Sequence, residues 1–248
     1  MSATPFVHVA ADLAAAGPGD AVPLGEDEAH HLTRVLRLRT GAEVEVADGR
    51  GRQAVGVLDA GVVVLTAAPV ATPRPRPELV LAQALPKGRK LDEVVRLATE
   101  LGVDRVVPVV AARSVVTLTG ERAERAAERW RAVGRAAAEQ ARRPFLPQLA
   151  APVDVAALPR DAAVTDGGLL LVAVPGATPL PDLLVPSWRG CRRVTVAIGP
   201  EGGFTADEVA ALVAAGAQAV GLGPTVLRTE HAGGAALAVL AALLGRWR

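Results

Sequence analysis

Three prolines fall within eight residues in the stretch ATPRPRPE, 71–78, and they divide the chain into two parts that no single helix or sheet can join. Proline fixes φ and lacks an amide hydrogen, so repeated prolines continue neither a helix nor a strand ladder. Before this linker, AEVEVADG, QAVGVLDA and GVVVLTAA are short β-branched runs parted by Gly and Asp turns, with one helical stretch, DEAHHLTRVLRL, among them. Short strands between such turns suit a small β-barrel over 1–71. After the linker the rhythm changes. ELVLAQAL, VDRVVPVVA, LLLVAV, RVTVAIG and AVGLG read as strands. They alternate with KLDEVVRLATELG, the long charged GERAERAAERWRAVGRAAAEQARR, a helix over 205–215 and a final helix over roughly 232–247. This alternation predicts an α/β domain over 72–248 with a mostly parallel sheet.

Composition narrows the function classes. Half of the 248 residues are apolar but only 2% are aromatic, so Ala, Val and Leu must build the core. No apolar run reaches the roughly 18 residues of a membrane span. The N-terminal MSATPFVHVAADLAAAGPGD lacks the basic region of a secretory signal. Cys191 is the only cysteine, which excludes internal disulfides and a cysteine metal cluster. The expectation is a reduced, soluble, cytoplasmic protein with no membrane and no metal. The net charge of +1 hides an asymmetry, with 15 basic against 9 acidic residues over 72–143 and an acidic excess on either side. A basic middle points to a polyanionic partner, against the alternative of a solvated helix face.

Two loops carry the chemistry. AIGPEGGFTADEV, 197–209, follows the strand RVTVAIG, and Thr205 with Glu208 forms a capping box for the next helix. The loop therefore sits at the carboxyl end of a strand, where open α/β sheets bind ligands. It is neither of the glycine-rich phosphate fingerprints and offers no lysine for phosphate. Glu201 suits a ligand bearing positive charge or N–H and O–H donors. S-adenosylmethionine fits, with an ammonium, a sulfonium, ribose hydroxyls and no phosphate; a tight turn with a solvent-facing Glu is the plainer alternative. The second loop, PTVLRTEH at 224–231, follows AVGLG. Val226 and Leu227 suggest an apolar bed for a flat ring, while Arg228 and Glu230 either pair with each other or reach a substrate.

AIGPEGGFTADEV together with GLGPTVLRTEHAG resembles the RsmE family of SPOUT RNA methyltransferases, which methylate uracil N3 in small-subunit (16S) ribosomal RNA. HHLTRVLRLRTGAEVEVADGRG is similar to that family's N-terminal PUA-like β-barrel. KLDEVVRLATELGVDRVVPVVAARSVV and RWRAVGRAAAEQARRPFLP are similar to its central segments. The resemblance implies a trefoil-knotted α/β domain, S-adenosylmethionine held in the knot, ribosomal RNA or the small subunit as partner, and a homodimer. Carried onto this chain, it implies cofactor contacts from Gly199, Pro200, Glu201, Gly202 and Gly203, and from Leu222, Gly223, Val226, Leu227 and Arg228. At Thr225 the family often has Arg, and at His231 it often has Thr.

Methylation at uracil N3 requires loss of a weakly acidic proton, which a cation favours by stabilising the uracilate. Arg228 and Arg143 are the candidates, with a phosphate contact as the alternative for Arg143. Arg113 and Ser114, in AARSVV after a strand, are expected at RNA or the active site. Lys87, Arg89 and Lys90 cluster at a helix start, where cations oppose the helix dipole, which argues for phosphate contact. Arg34, Arg37 and Arg39 of TRVLRLR are expected to face RNA from the barrel. His30 and His31 adjoin Glu28 without a third metal ligand and read as barrel or interface residues, while His8 and Cys191 read as structural. Two other classes stay open: an RNA-binding module without catalysis, which leaves the acidic Gly-rich loop unexplained, and a nucleotide-binding enzyme, which lacks phosphate donors here. A SPOUT enzyme acting on another RNA position is a third.

Overall fold

The protein is described by a computed structural model covering residues 4–116, 118, 120–183, 188 and 190–247. The chain forms two compact units, Met1–Arg74 with Arg135–Leu146, and Pro75–Gly134 with Pro147–Arg248. The first unit therefore includes a segment from the middle of the chain, where the proline linker alone suggests a single cut.

In the first unit, strands β1 (Phe6–His8), β2 (Ala21–Pro23), β3 (Glu43–Ala47), β4 (Arg52–Asp59), β5 (Val62–Leu65) and β6 (Val70–Ala71) form one sheet in the order β1-β3-β4-β5-β2, with β6 on β4. All pairings are antiparallel except β1 with β3. Alternation sends Val44 and Val46 of β3, Ala54 and Leu58 of β4, and Val63 and Leu65 of β5 into a common core. Helix α1 (Glu26–His30) continues into one π-turn, His31–Val35, which buries Leu32 there. The added segment closes on the β3–β4 turn, where Leu146 N donates to Gly49 O at 3.0 Å and Gly51 N to Pro144 O at 3.0 Å.

The second unit is a parallel sheet. Its strands are β7 (Glu78–Ala84), β8 (Arg105–Val110), β9 (Gln148–Leu149), β10 (Val153–Asp154), β11 (Leu169–Ala173), β12 (Arg193–Ile198) and β13 (Gln218–Val220), in the order β10-β8-β7-β12-β11-β13 with β9 on β8. Both faces are covered, so the central strands are mostly apolar rather than alternating, with Gln83 of β7 and Thr195 of β12 as buried polar exceptions. Leu79 and Leu81 of β7 enter one core with α2 (Lys90–Glu100), the N-terminal part of α3 (Gly120–Gln140) and α6 (Thr229–Leu243). Val80 and Ala82 enter the other, with the short α4 (Leu158–Asp161) and α5 (Ala206–Ala214). The capping box at Thr205 and Glu208 is present as the sequence predicts.

The end of the chain is threaded. After β13 it runs against residues 174–180, with Gly221 N donating to Thr178 O and Leu180 N to Gly221 O, each at 2.8 Å. A Cβ on Gly221 would lie 2.3 Å from Ala177 O, so only glycine passes here. Helix α6 then packs on β7 and β12, while Leu180 and Trp188 of the β11–β12 crossover share a core with its Leu237 and Leu240. A terminal segment led under an earlier crossover is the trefoil-knotted topology. The small residues of α6 serve this packing. A Cβ on Gly234 would fall 2.4 Å from Leu97 Cδ2, and one on Gly233 would fall 3.0 Å from Leu81 Cδ2.

Helix α6 starts at Thr229, not near 232, and ends at Leu243, not 247. Its N-cap is Arg228, which carries no side-chain cap, so the usual start signal is missing from the sequence. Beyond α6, the guanidinium of Arg246 pairs with Asp104 and donates to Pro77 O at 2.6 Å and Gly102 O at 3.0 Å. The two side chains are 4% and 2% exposed, and Asp104 also accepts from Leu79 N at 2.8 Å. Removing one partner of a buried pair strands the other charge. Arg246→Met is expected to destabilise the protein by about 3–5 kcal/mol, read by urea denaturation; a loss within experimental error would show that the clasp is not needed.

Candidate functional site

Strands β12, β11 and β13 are neighbours, so the loops that follow them emerge side by side at the carboxyl edge of the sheet. They enclose a cavity of about 490 Å³ within the second unit. The loop after β12 lines it with Gly199, Pro200, Glu201 and Gly203, and the chain after β13 lines it from Leu222 through Glu230. A third wall, Ala173–Gly176, follows β11. That wall was not anticipated, although the Pro175-Gly176 turn directly after an apolar strand is a readable signal for it.

The turn after β12 is fixed by backbone geometry. Gly203 N donates to Pro200 O at 2.8 Å, and a Cβ on Gly199 would lie 2.8 Å from Phe204 N. This bends the chain sharply enough to turn peptide groups towards the cavity. Gly202 behaves differently from its neighbours. It does not line the cavity, and a Cβ there would meet Arg113 Cδ at 3.2 Å. The Arg113 guanidinium in turn donates to Gly202 O at 2.6 Å, so this arginine braces the loop from outside.

Two ties join the β12 loop to the start of α6. The inner tie is neutral: Gln83 Nε2 donates to Thr229 Oγ1 at 2.9 Å, and the Thr229 hydroxyl donates to Gly199 O at 2.6 Å. Gln83 is fully buried and Thr229 nearly so. The outer tie is ionic: Lys90 Nζ lies 3.3 Å from Glu201 Oε1 and 3.2 Å from Glu230 Oε2. Glu201 Oε1 also accepts from Lys87 N at 3.1 Å. Glu230 therefore pairs with Lys90 rather than with Arg228, because its place in the first turn of α6 turns it towards α2. The cavity does have a lysine, and both carboxylates already hold it.

These contacts set the charge states. Hydrogen bonds to Glu230 and then Glu201 raise the Lys90 pKa above its ordinary value. Burial works to raise Glu201, but its own backbone N–H, that of Lys87 and the ammonium hold it below the usual carboxylate range. Glu230 is held low first by its own backbone N–H at the helix start and then by Lys90. The cavity wall thus carries two carboxylates, the Lys90 ammonium and the Arg228 guanidinium.

Of the remaining site candidates, Val226 is 88% exposed at the cavity rim, while Leu227 turns back to pack on the core. Arg228 and Thr225 line the cavity and are exposed. His231 is also exposed, one residue beyond. Lys87 and Arg89 are exposed beside the helix start, and Ser114 closes a turn by accepting from Ala111 N at 3.2 Å. Arg34, Arg37, Arg39, His30 and His31 are exposed residues of the first unit, and Glu28 there pairs with Arg135 at 3.1 Å. Arg143 also belongs to that unit. It follows the left-handed Arg142 at the end of α3, with its N–H donating to Ala138 O at 2.8 Å. Its carbonyl accepts from Nε2 of His8, a wholly buried histidine that the sequence leaves as merely structural. Among the described residues no helix is long and apolar enough to cross a membrane, and no group of three His, Cys, Asp or Glu side chains is placed to hold a metal ion.

Comparison with known proteins agrees with this geometry. The RNA methyltransferase domain family matches residues 72–241, and the RNA methyltransferase PUA domain family matches residues 24–60. Ribosomal RNA small subunit methyltransferase E of Mycobacterium bovis is 38% identical over 229 residues, covering 89% of this chain and 86% of the relative. The protein of that name from Synechocystis is 34% identical over 230 residues, covering 90% and 73%. Among solved structures, the Neisseria gonorrhoeae ribosomal RNA small subunit methyltransferase E bound to S-adenosylmethionine superposes with a TM-score of 0.83 at 26% identity, covering 97% of this chain and 98% of that one.

Proposed function

The chain belongs to the RsmE family of ribosomal RNA methyltransferases, and from that premise we propose that it methylates N3 of a uracil in small-subunit ribosomal RNA, with S-adenosylmethionine as donor. The observation that carries this reading is the cavity where loops from three adjacent parallel strands meet around Glu201 and Glu230. Its residues fit the cofactor. Gly199, Pro200, Gly203, Leu222 and Gly223 offer backbone groups for the adenine edge and ribose. Leu227 and Ile198 offer apolar surface, and the carboxylate side of the wall favours a cationic ligand. Nothing in the cavity forms a phosphate cradle. When bound, S-adenosylmethionine supplies an electrophilic methyl group. Gly202 acts indirectly, through Arg113, rather than by touching the ligand.

The chain's own task is to stabilise the uracil as its N3 anion. Arg228, exposed at the cavity and not paired with Glu230, is our catalytic candidate. Arg143 is the second, with its backbone anchored by His8. Lys87, Arg89, Arg113 and Ser114 on the loops of the second unit, and Arg34, Arg37 and Arg39 on the first, form the RNA-binding set. We keep residues 1–71 as an RNA-binding barrel and 72–248 as the methyltransferase domain, although residues 135–146 belong to the first compact unit. A ribosomal substrate supports a cytoplasmic location.

Calorimetry is expected to show S-adenosylmethionine binding, and nucleoside analysis of methylated small-subunit RNA is expected to show a mark at uracil N3. A mark at any other atom would support the alternative of a related enzyme with another target, and no mark at all would leave an RNA-binding module. Arg228→Ala should lower the single-turnover rate at saturating cofactor by about a hundred- to a thousand-fold while leaving cofactor affinity near wild type. An unchanged rate would remove Arg228 from the chemistry. We also infer a homodimer, on family resemblance alone, since the small residues of α6 pack inside their own chain. Sedimentation should read twice the 25.4 kDa chain mass; an active monomer at micromolar concentration would overturn that inference.

A further inference from the structure

Lys90 is the first residue of α2, a position where a cation opposes the helix dipole. Something must compensate for it, and the compensation is local. Glu201 comes from the turn after β12 and Glu230 from the first turn of α6, and the one ammonium lies within 3.3 Å of both. All three side chains line the cavity. Of the other charged groups nearby, Arg113 is bound to Gly202 O, and Lys87, Arg89 and His231 are exposed; Arg228 lines the cavity and acts on Glu230 through space without a hydrogen bond to it. Without the ammonium, the carboxylates of two different segments would be left side by side with no cation bridging them.

We propose that Lys90 is a positioning residue that sets the width of the cofactor cavity, holding the β12 loop and the α6 start together by bridging Glu201 and Glu230. This rests on the reading of the cavity as the S-adenosylmethionine site. The inner tie through Thr229 fixes the base of the gap, and the ionic tie fixes its outer rim. One carboxylate charge remains unbalanced within the triad. Neutralising Glu230 should therefore help when Lys90 is absent, by removing the like charge left beside Glu201, and should not help when Lys90 is present.

The test is a double-mutant cycle read by calorimetric affinity for S-adenosylmethionine and for S-adenosylhomocysteine. Lys90→Met should weaken both by about tenfold or more, as expected when charge-assisted hydrogen bonds are lost and like charges are exposed to each other. Adding Glu230→Gln to Lys90→Met should restore much of the affinity, although Glu230→Gln in the wild type does not improve it. Salt should also improve binding to Lys90→Met, because the Debye length shrinks from about 10 Å at 0.1 M to about 3 Å at 1 M. Lys90→Arg should retain most of the affinity. A side chain needed only for packing would give a defect that neither the second substitution nor salt relieves, and that result overturns the proposal. So does wild-type affinity in Lys90→Met. If wild-type protein binds neither ligand, the cavity reading fails and takes this inference with it. Should Lys90→Met be too unstable to titrate, Lys90→Gln and Lys90→Gln/Glu230→Gln carry the comparison by melting temperature; the double variant must melt higher than the single one.

Discussion

The passage of the chain beneath residues 174–180 is the constraint on which the rest of the second unit depends. It requires glycine at 221, since any side chain there would collide with Ala177 O. It delivers α6 to the face of β7 and β12, and so brings Thr229 and Glu230 to the cavity beside a loop that leaves the sheet some thirty residues earlier. Neither tie described above would exist if β13 led outwards to a surface helix. The cavity is therefore a product of the topology, and its residues are contributed by segments that only the threading makes adjacent.

Much of this was legible beforehand. The proline linker separated two hydrophobic rhythms, and the parallel sheet followed from strand–helix alternation with unbroken apolar strands. Thr205 and Glu208 announced α5 because a capping box is local, needing only four consecutive residues. The two loops that line the cavity were legible for the same reason: each is a short stretch of unusual composition directly after a strand.

What was hidden is nonlocal. Lys90 looked like part of a basic cluster aimed at phosphate, and no spacing reveals that two carboxylates more than a hundred residues away surround it. Helix α6 began earlier than its sequence suggests because Thr229, a residue type expected at or before a helix start, uses its hydroxyl on Gly199 instead of on its own backbone. Nothing local says what the adjacent Gly233 and Gly234 pack against; Leu81 and Leu97 of the same chain lie there. The membership of residues 135–146 in the first unit is a tertiary fact of the same kind.

The threaded end has a consequence for how the protein matures. Strand β7 pairs with β12, more than a hundred residues later in the chain, so the central ladder closes only after most of the sequence is available. Nonlocal pairings of this sort slow folding. The cavity needs a further step, since its α6 wall arrives only once the segment after β13 has passed under the crossover. A chain arrested before that step has a sheet but no cavity, and any ligand that binds the cavity would stabilise only molecules that have completed it. Ligand binding is in this sense a proofreading signal for the topology: it distinguishes a finished molecule from one whose strands are paired but whose tail is still outside.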